Sequence, residues 1–243
     1  MFDNSTSPLN KGFFNGVMGW YYGGLFWDVD KTVSKLVYDE TIEPVILVSV
    51  WNLPTKRGTE YMPQKMFEGH KRGTGFDGME LKKEVWIESL TSDKYLRFLV
   101  EEIKPYIDTH YRSKVDRANT YIMGSSMGGM ISAYAIAEYP RIFGGAACLS
   151  THWPAGGDLV TDWYKDNWPK AGNHRIYFDR GTKNLDAQYG RGHQQMNAIM
   201  QERGFSHGVD WISKIFEGEG HMISAWRDRL HIPLEFLLAS KND

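Results

Sequence analysis

At 243 residues, with 28 Lys and Arg against 30 Asp and Glu and a net charge of −2, the chain is long enough for one large α/β domain with a sizeable core. No long run of like charge is present, which argues against an electrostatic docking surface for nucleic acid or anionic lipid. Its longest apolar runs are far too short to span a membrane, and the single cysteine, Cys148, cannot form an internal disulfide and reads as a buried thiol.

The N-terminal stretch has no basic region followed by a compact apolar segment, so it does not read as a signal peptide. Taken literally this predicts a cytoplasmic chain; a longer N-terminus would allow a secreted or periplasmic one. The first predicted strand is PVILVSVW, residues 44–51, a continuous β-branched run of the kind buried on both faces. Residues 93–111 place Leu96, Leu99, Val100 and Ile103 at helical spacing. A second strand over 120–123 turns through glycines and serines into an alanine-rich helix that must end near Pro140. The runs 144–150, 175–179 and 211–216 read as three further strands, with a helix fitting between each pair, one of them over 189–204. A closing helical run covers 223–240. Strands alternating with helices imply a mostly parallel sheet with flanking helices, a three-layer α/β sandwich that binds ligands beyond the carboxyl ends of its strands. No repeat, low-complexity tract or linker divides the chain, so residues 1–243 are expected to form a single domain.

Gly124-Ser125-Ser126-Met127-Gly128 fits the pattern Gly-x-Ser-x-Gly. Chance produces that pattern in about one chain in six of this composition, so its context decides. It lies where a buried strand turns into a helix, the setting of a nucleophile elbow. Gly124 and Gly128 let strand and helix approach closely around a strained Ser126. The hydroxyl is presented near the positive end of the helix, and the Met127 amide can help hold an oxyanion. The competing reading is a phosphate-binding turn, but GSSMGG has neither the dinucleotide fingerprint nor the Lys-Ser/Thr pair of a phosphate loop.

A serine nucleophile needs a base and an orienting acid, in the chain order Ser, Asp or Glu, His. His221 follows the last predicted strand in a glycine-flanked loop, where the base belongs. His152 is its rival, at the correct edge after the strand 144–150, with a pocket-wall role as the alternative. For the acid, Asp186 lies beyond the Gly181-Thr182 turn and is favoured over Asp179, which stands at a strand tip and could cap the loop or pair with Arg180. Such an acid fixes the tautomer of the histidine and stabilises the imidazolium. Trp51, Asn52 and Trp153 follow strand ends and are candidates to face the substrate, with core packing the alternative for each tryptophan.

The segments GSSMGGMISAYAIAEYP, CLSTHWP, YFDRGTKNLD and GEGHMISAWRDRL resemble the putative-esterase family of α/β hydrolases, which includes esterase D, siderophore esterases, feruloyl esterases and the antigen 85 mycolyltransferases. The likeness runs from about residue 27 to the C-terminus. NLPTKRGTEYMP also looks like the family's loop after its fourth strand, with Arg57, Glu60 and Tyr61 matching. By position the resemblance carries the triad onto Ser126, Asp186 and His221. It implies cleavage of a carboxylic ester through an acyl-enzyme, without metal or cofactor, on a small-molecule or carbohydrate-linked substrate. An acyltransferase that passes the acyl group to a sugar, and an inactive binding protein of the same fold, are the alternatives.

Two departures stand out. Ile223 stands where relatives often carry a glutamate. In relatives a central strand, whose following loop supplies the second oxyanion amide, precedes the segment matching MFDNSTSP, where this chain begins. Without it, two neighbouring strands pair directly, or GFFNGVMGWYY fills the gap, or the chain is a fragment. Glycine-rich aromatic sequence is a poor central strand, so the favoured expectation is an N-terminally shortened fold.

Overall fold

The computed structural model describes residues 27–50, 55–68 and 88–239, together with the backbone of residues 11–15. Six strands form one sheet: β1 Lys11–Asn15, β2 Val45–Ser49, β3 Thr120–Ser125, β4 Gly145–Leu149, β5 Arg175–Lys183 and β6 Trp211–Gly220. They lie in the order β2-β1-β3-β4-β5-β6, and every pairing is parallel. Parallel neighbours cannot be joined by tight hairpins, so each connection leaves the sheet. Helix α1 Val29–Tyr38 precedes β2. After β2 come α2 Arg57–Tyr61, α3 Ser92–Arg97, a π-helical stretch Phe98–Ile103 and α4 Lys104–His110. Then α5 Met127–Glu138 follows β3, α6 Asp158–Asn167 follows β4, α7 Gly190–Glu202 follows β5, and α8 Ile223–Arg229 and α9 His231–Leu238 follow β6.

Strand side chains alternate between two cores, which makes three layers. Ile122 of β3, Ala146 and Cys148 of β4, and Ile176 and Phe178 of β5 join Leu96, Met130, Tyr164 and Met196 of α3, α5, α6 and α7. Tyr121 and Met123, Ala147 and Leu149, and Tyr177 face the other way, onto Val33, Trp226 and Leu234 of α1, α8 and α9. Being apolar on both faces, the central strands read as continuous runs, which is why sequence found them.

The strands expected from sequence appear as β2 to β6, with β5 and β6 pairing out to Lys183 and Gly220 across an irregularity between Gly181 and Lys183. The run 93–111 is helical but passes through its π stretch just before Pro105, whose ring has no N–H to offer the turn before it. The closing run 223–240 is two helices, with Pro233 in the first turn of α9, where a missing N–H is tolerated.

One expectation is corrected. The position between β2 and β3 is filled, by Lys11–Asn15, with Gly12 in register with Ile46 on one side and Thr120 on the other. A strand with partners on both flanks is held through its backbone groups, and glycine supplies those as any residue does.

Candidate active site

Ser126, His152, Asp186 and His221 follow β3, β4, β5 and β6, four adjacent strands whose carboxyl ends share one edge of the sheet. Ser126 has φ 56° and ψ −122°. A non-glycine residue held there costs on the order of 1–3 kcal/mol and persists only where its surroundings fix it. Backbone hydrogen bonds do so here. Ser126 N–H donates to Leu149 O at 2.9 Å, and Ser126 O accepts from Gly129, Met130 and His152 at 3.0, 3.2 and 3.3 Å. A Cβ on Gly124 would lie 2.5 Å from the carbonyl carbon and oxygen of Gly128, so the crossing of strand and helix requires glycine. Met127 opens α5, and amides of a first turn have no acceptor inside the helix.

Asp186 is buried in the 3₁₀ turn Asn184–Tyr189 that follows β5. Its Oδ1 meets His221 Nδ1 at 2.6 Å, while Oδ2 accepts from Ser150 Oγ and from Gly181 N–H, each at 2.6 Å. Gly181 makes room for this, since a Cβ would press on Glu219 O and come within 2.9 Å of Asp186 Oδ2. Burial on its own would raise the carboxyl, but the hydrogen bonds from His221, Ser150 and Gly181 outweigh it and hold Asp186 below its ordinary value. An ionised carboxylate only accepts, so the proton on this side is assigned to His221 Nδ1, leaving Nε2 with its lone pair free to act as a base. The imidazole stands edge-on to Tyr189 (5.4 Å between centroids, 85°) and to Trp226 (4.8 Å, 88°), which fixes its plane. Among the described residues Ser126 Oγ and His221 Nε2 are not hydrogen-bonded to one another. Such bonds commonly tighten only in the substrate complex.

The other candidates fall in different places. His152 is buried, bonds Tyr189 OH through Nδ1 at 2.5 Å and donates its backbone N–H to Ser126 O. It is fastened beside the elbow and partnered by a phenol where His221 has a carboxylate. Trp153 is in the core, its ring edge-on to Tyr164 and Phe178, in line with the alternative considered for it. Asp179 pairs with Arg229 and not with Arg180. Two guanidinium bonds at 3.0 and 2.9 Å, one from Tyr177 OH and one from Ser150 N–H occupy it. Arg180 donates to Gly181 O instead. Cys148 is fully buried, and burial pushes its thiol far up. Trp51 and Asn52 lie outside the described residues. Among the described residues no cluster of His, Cys, Asp or Glu is placed to hold a metal ion, and no helix is long and apolar enough to cross a membrane. Sequence reasoning missed Ser150, Tyr189, Trp226 and Arg229, although three of them sit inside the segments that carried the family resemblance.

A parallel sheet between two helical layers, with a strained serine after one strand and an acid–histidine pair after two others, is the α/β-hydrolase architecture. The chain belongs to the putative esterase family, whose model matches residues 24–231. An endo-1,4-beta-xylanase/feruloyl esterase of Xylanibacter ruminicola is 28% identical over 141 residues, a match covering 58% of this chain and 17% of that protein. A ferulic acid esterase structure superposes with a TM-score of 0.62 at 17% identity, over 97% of this chain and 86% of that one. The enterobactin esterase of Shigella flexneri gives a TM-score of 0.65 at 18% identity, over 96% of this chain and 52% of that one. This chain therefore spans about half the length of the Shigella protein, and its match covers less than a fifth of the Xylanibacter one.

Proposed function

We propose that the chain hydrolyses carboxylic esters through an acyl-enzyme on Ser126, with His221 as general base and Asp186 as the orienting acid. His221 Nε2 takes the hydroxyl proton as Ser126 Oγ attacks the ester carbonyl carbon. The tetrahedral oxyanion is met by the Met127 N–H at the head of α5. Collapse breaks the bond to the alcohol, which leaves with the proton returned by His221. Water, deprotonated by the same nitrogen, then attacks the acyl carbon and releases the acid and Ser126. Asp186 stays ionised throughout and stabilises the imidazolium. The substrate is an ester of a small molecule or of a carbohydrate; the names of the feruloyl and enterobactin esterases point to the first.

The observation that carries this reading is the 2.6 Å contact between His221 Nδ1 and a buried carboxylate, at the same sheet edge as the Ser126 elbow. Its test is Ser126→Ala. Turnover of a short p-nitrophenyl ester and labelling by a fluorophosphonate probe should both vanish while the protein stays folded. Retention of either would overturn the assignment.

A further inference from the structure

Ser150 has no role in the chemistry above, yet it sits where two polar systems meet. It follows β4 with φ 41°, in the left-handed region that favours glycine, and is fully buried. Its N–H donates to both the main-chain oxygen and the Oδ1 of Asp179, each at 3.0 Å. Glycine would suit that backbone better. What a glycine would lack is the hydroxyl, and this hydroxyl has three partners: Asp186 Oδ2 at 2.6 Å, Trp226 Nε1 at 2.9 Å and a terminal nitrogen of Arg229 at 2.9 Å.

The chemistry of those partners fixes the proton. A hydroxyl has one hydrogen and two lone pairs. The indole and the guanidinium can only donate, so they occupy the lone pairs, and the hydrogen is left with Asp186 as its one acceptor. We propose that Ser150 is a positioning residue of the ester-cleaving site: held by Arg229 and Trp226 of α8, its hydroxyl donates to Asp186 and keeps that carboxylate ionised and aimed at His221. This rests on the acyl-enzyme reading of the site. The charged and titratable groups around this bridge are Arg229 from α8, Asp179 from β5 with Tyr177 bonded to it, His221 after β6, Tyr189 of the 3₁₀ turn edge-on to His221, and His152 after β4 bonded to Tyr189. Arg229 and Asp179 neutralise each other, with side chains 4% and 0% exposed, so the bridge stands beside a compensated pair.

A donor to the carboxylate stabilises the unprotonated Asp186–His221 couple, so its removal lets the couple hold a proton to higher pH. The experiment compares Ser150→Ala with Ser150→Gly, the second of which relieves the backbone at φ 41° and so separates loss of the hydroxyl from loss of the fold. In both, kcat should fall roughly tenfold with KM nearly unchanged, and the acidic limb of kcat/KM should move up by roughly one pH unit. In an Asp186→Ala background, removing the hydroxyl should cost nothing further, because Ser150 acts through that carboxylate. An unmoved acidic limb in both folded variants overturns the proposal, as does an undiminished loss in the Asp186→Ala background. If Ser126→Ala retains turnover, the reading of the site fails and Ser150's role fails with it. If Ser126→Ala is dead and the limb is unmoved, the Ser150 proposal alone fails.

Discussion

The two halves of the site are built by different physics. The elbow around Ser126 is a steric device: backbone hydrogen bonds, close-packed glycine and a positive φ, with no titratable side chain between Gly124 and Gly128. The acid–base half is a polar device. There buried Asp186, Ser150, Asp179 and Arg229 and the partly exposed His221 hold one another through side-chain hydrogen bonds, each placed by its partners. The glycine crossing of the elbow is made by neighbours along the chain, with Leu149 of β4 and His152 after it adding backbone hydrogen bonds. Polar networks are assembled from residues far apart, here from β4, β5, the turn after it and α8. The first kind should therefore break through volume and the second through charge, hydrogen bonding and pH.

The largest effect is expected from Asp186→Asn. Oδ2 faces two donors, Ser150 Oγ–H and Gly181 N–H, so the asparagine oxygen settles on that side and its NH₂ group turns toward His221 Nδ1. That forces the tautomer with its proton on Nε2, which can no longer accept from Ser126. A loss of about 10⁴ in kcat with little change in stability is expected. A loss below about tenfold in steady-state assays would place the orienting carboxylate elsewhere.

Next comes Arg229→Ala, which strands a buried carboxylate on Asp179. Removing one partner of such a pair costs roughly 3–5 kcal/mol of stability. Urea unfolding of Arg229→Ala beside an Arg229→Ala, Asp179→Ala double variant checks it. The double variant should regain much of the loss, and a double loss equal to the sum of the Arg229→Ala and Asp179→Ala single losses would show that the two side chains are not coupled.

The same division explains what sequence could reveal. The Ser126 turn was legible because its sequence pattern is local: a β-rich run, three glycines and an alanine-rich helix lie within residues 120–135. Asp186 and His221 were legible only through chain order and loop position. Ser150, Trp226 and Arg229 were not, because a serine after a strand or an arginine in a helix has no local pattern that marks it as buried and networked. Adjacency offers Asp179 a loop cap or a pairing with Arg180, while the fold pairs it with Arg229 through tertiary packing. β1 is hidden for a related reason, since its place rests on the strands that flank it on both sides and composition does not carry them.

A smaller effect tests the steric half. The Cβ of Gly124→Ala would meet the Gly128 backbone at 2.5 Å, and such overpacking costs about 1–3 kcal/mol. It should also depress esterase turnover by displacing Ser126. The adjacent Ser125 is the control, because its buried hydroxyl has no partner among the described residues. Ser125→Ala should leave stability unchanged or slightly raised. If both variants behave alike in calorimetry, close backbone approach is not what shapes the elbow.

The smallest effect sharpens the contrast through pH, and it lies behind the acid–base half. Ser213 Oγ donates to Asn197 Oδ1 at 2.9 Å, so at 2.7 Å it must accept from His193 Nε2, which leaves His193 Nδ1 unprotonated and buried without a partner among the described residues. Burial, and then the nearby charge of Arg180, push His193 down to about 4 from 6.5. Between those values the unfolded chain binds the proton and the folded one does not. The stabilisation is therefore full above pH 6.5 and is lost progressively as pH falls toward about 4, with a slope approaching ~1.4 kcal/mol per pH unit. His174, also lowered by burial, acts in the same direction. His193→Gln keeps a donor for Ser213 and should flatten the stability–pH curve by up to one proton's worth in that window, as read by urea unfolding at several pH values. Gly124→Ala, by contrast, should lower the whole curve without changing its slope, since the elbow has nothing to titrate. A curve for His193→Gln as steep as the native one would remove pH sensitivity from this polar layer and with it part of the contrast between the two halves.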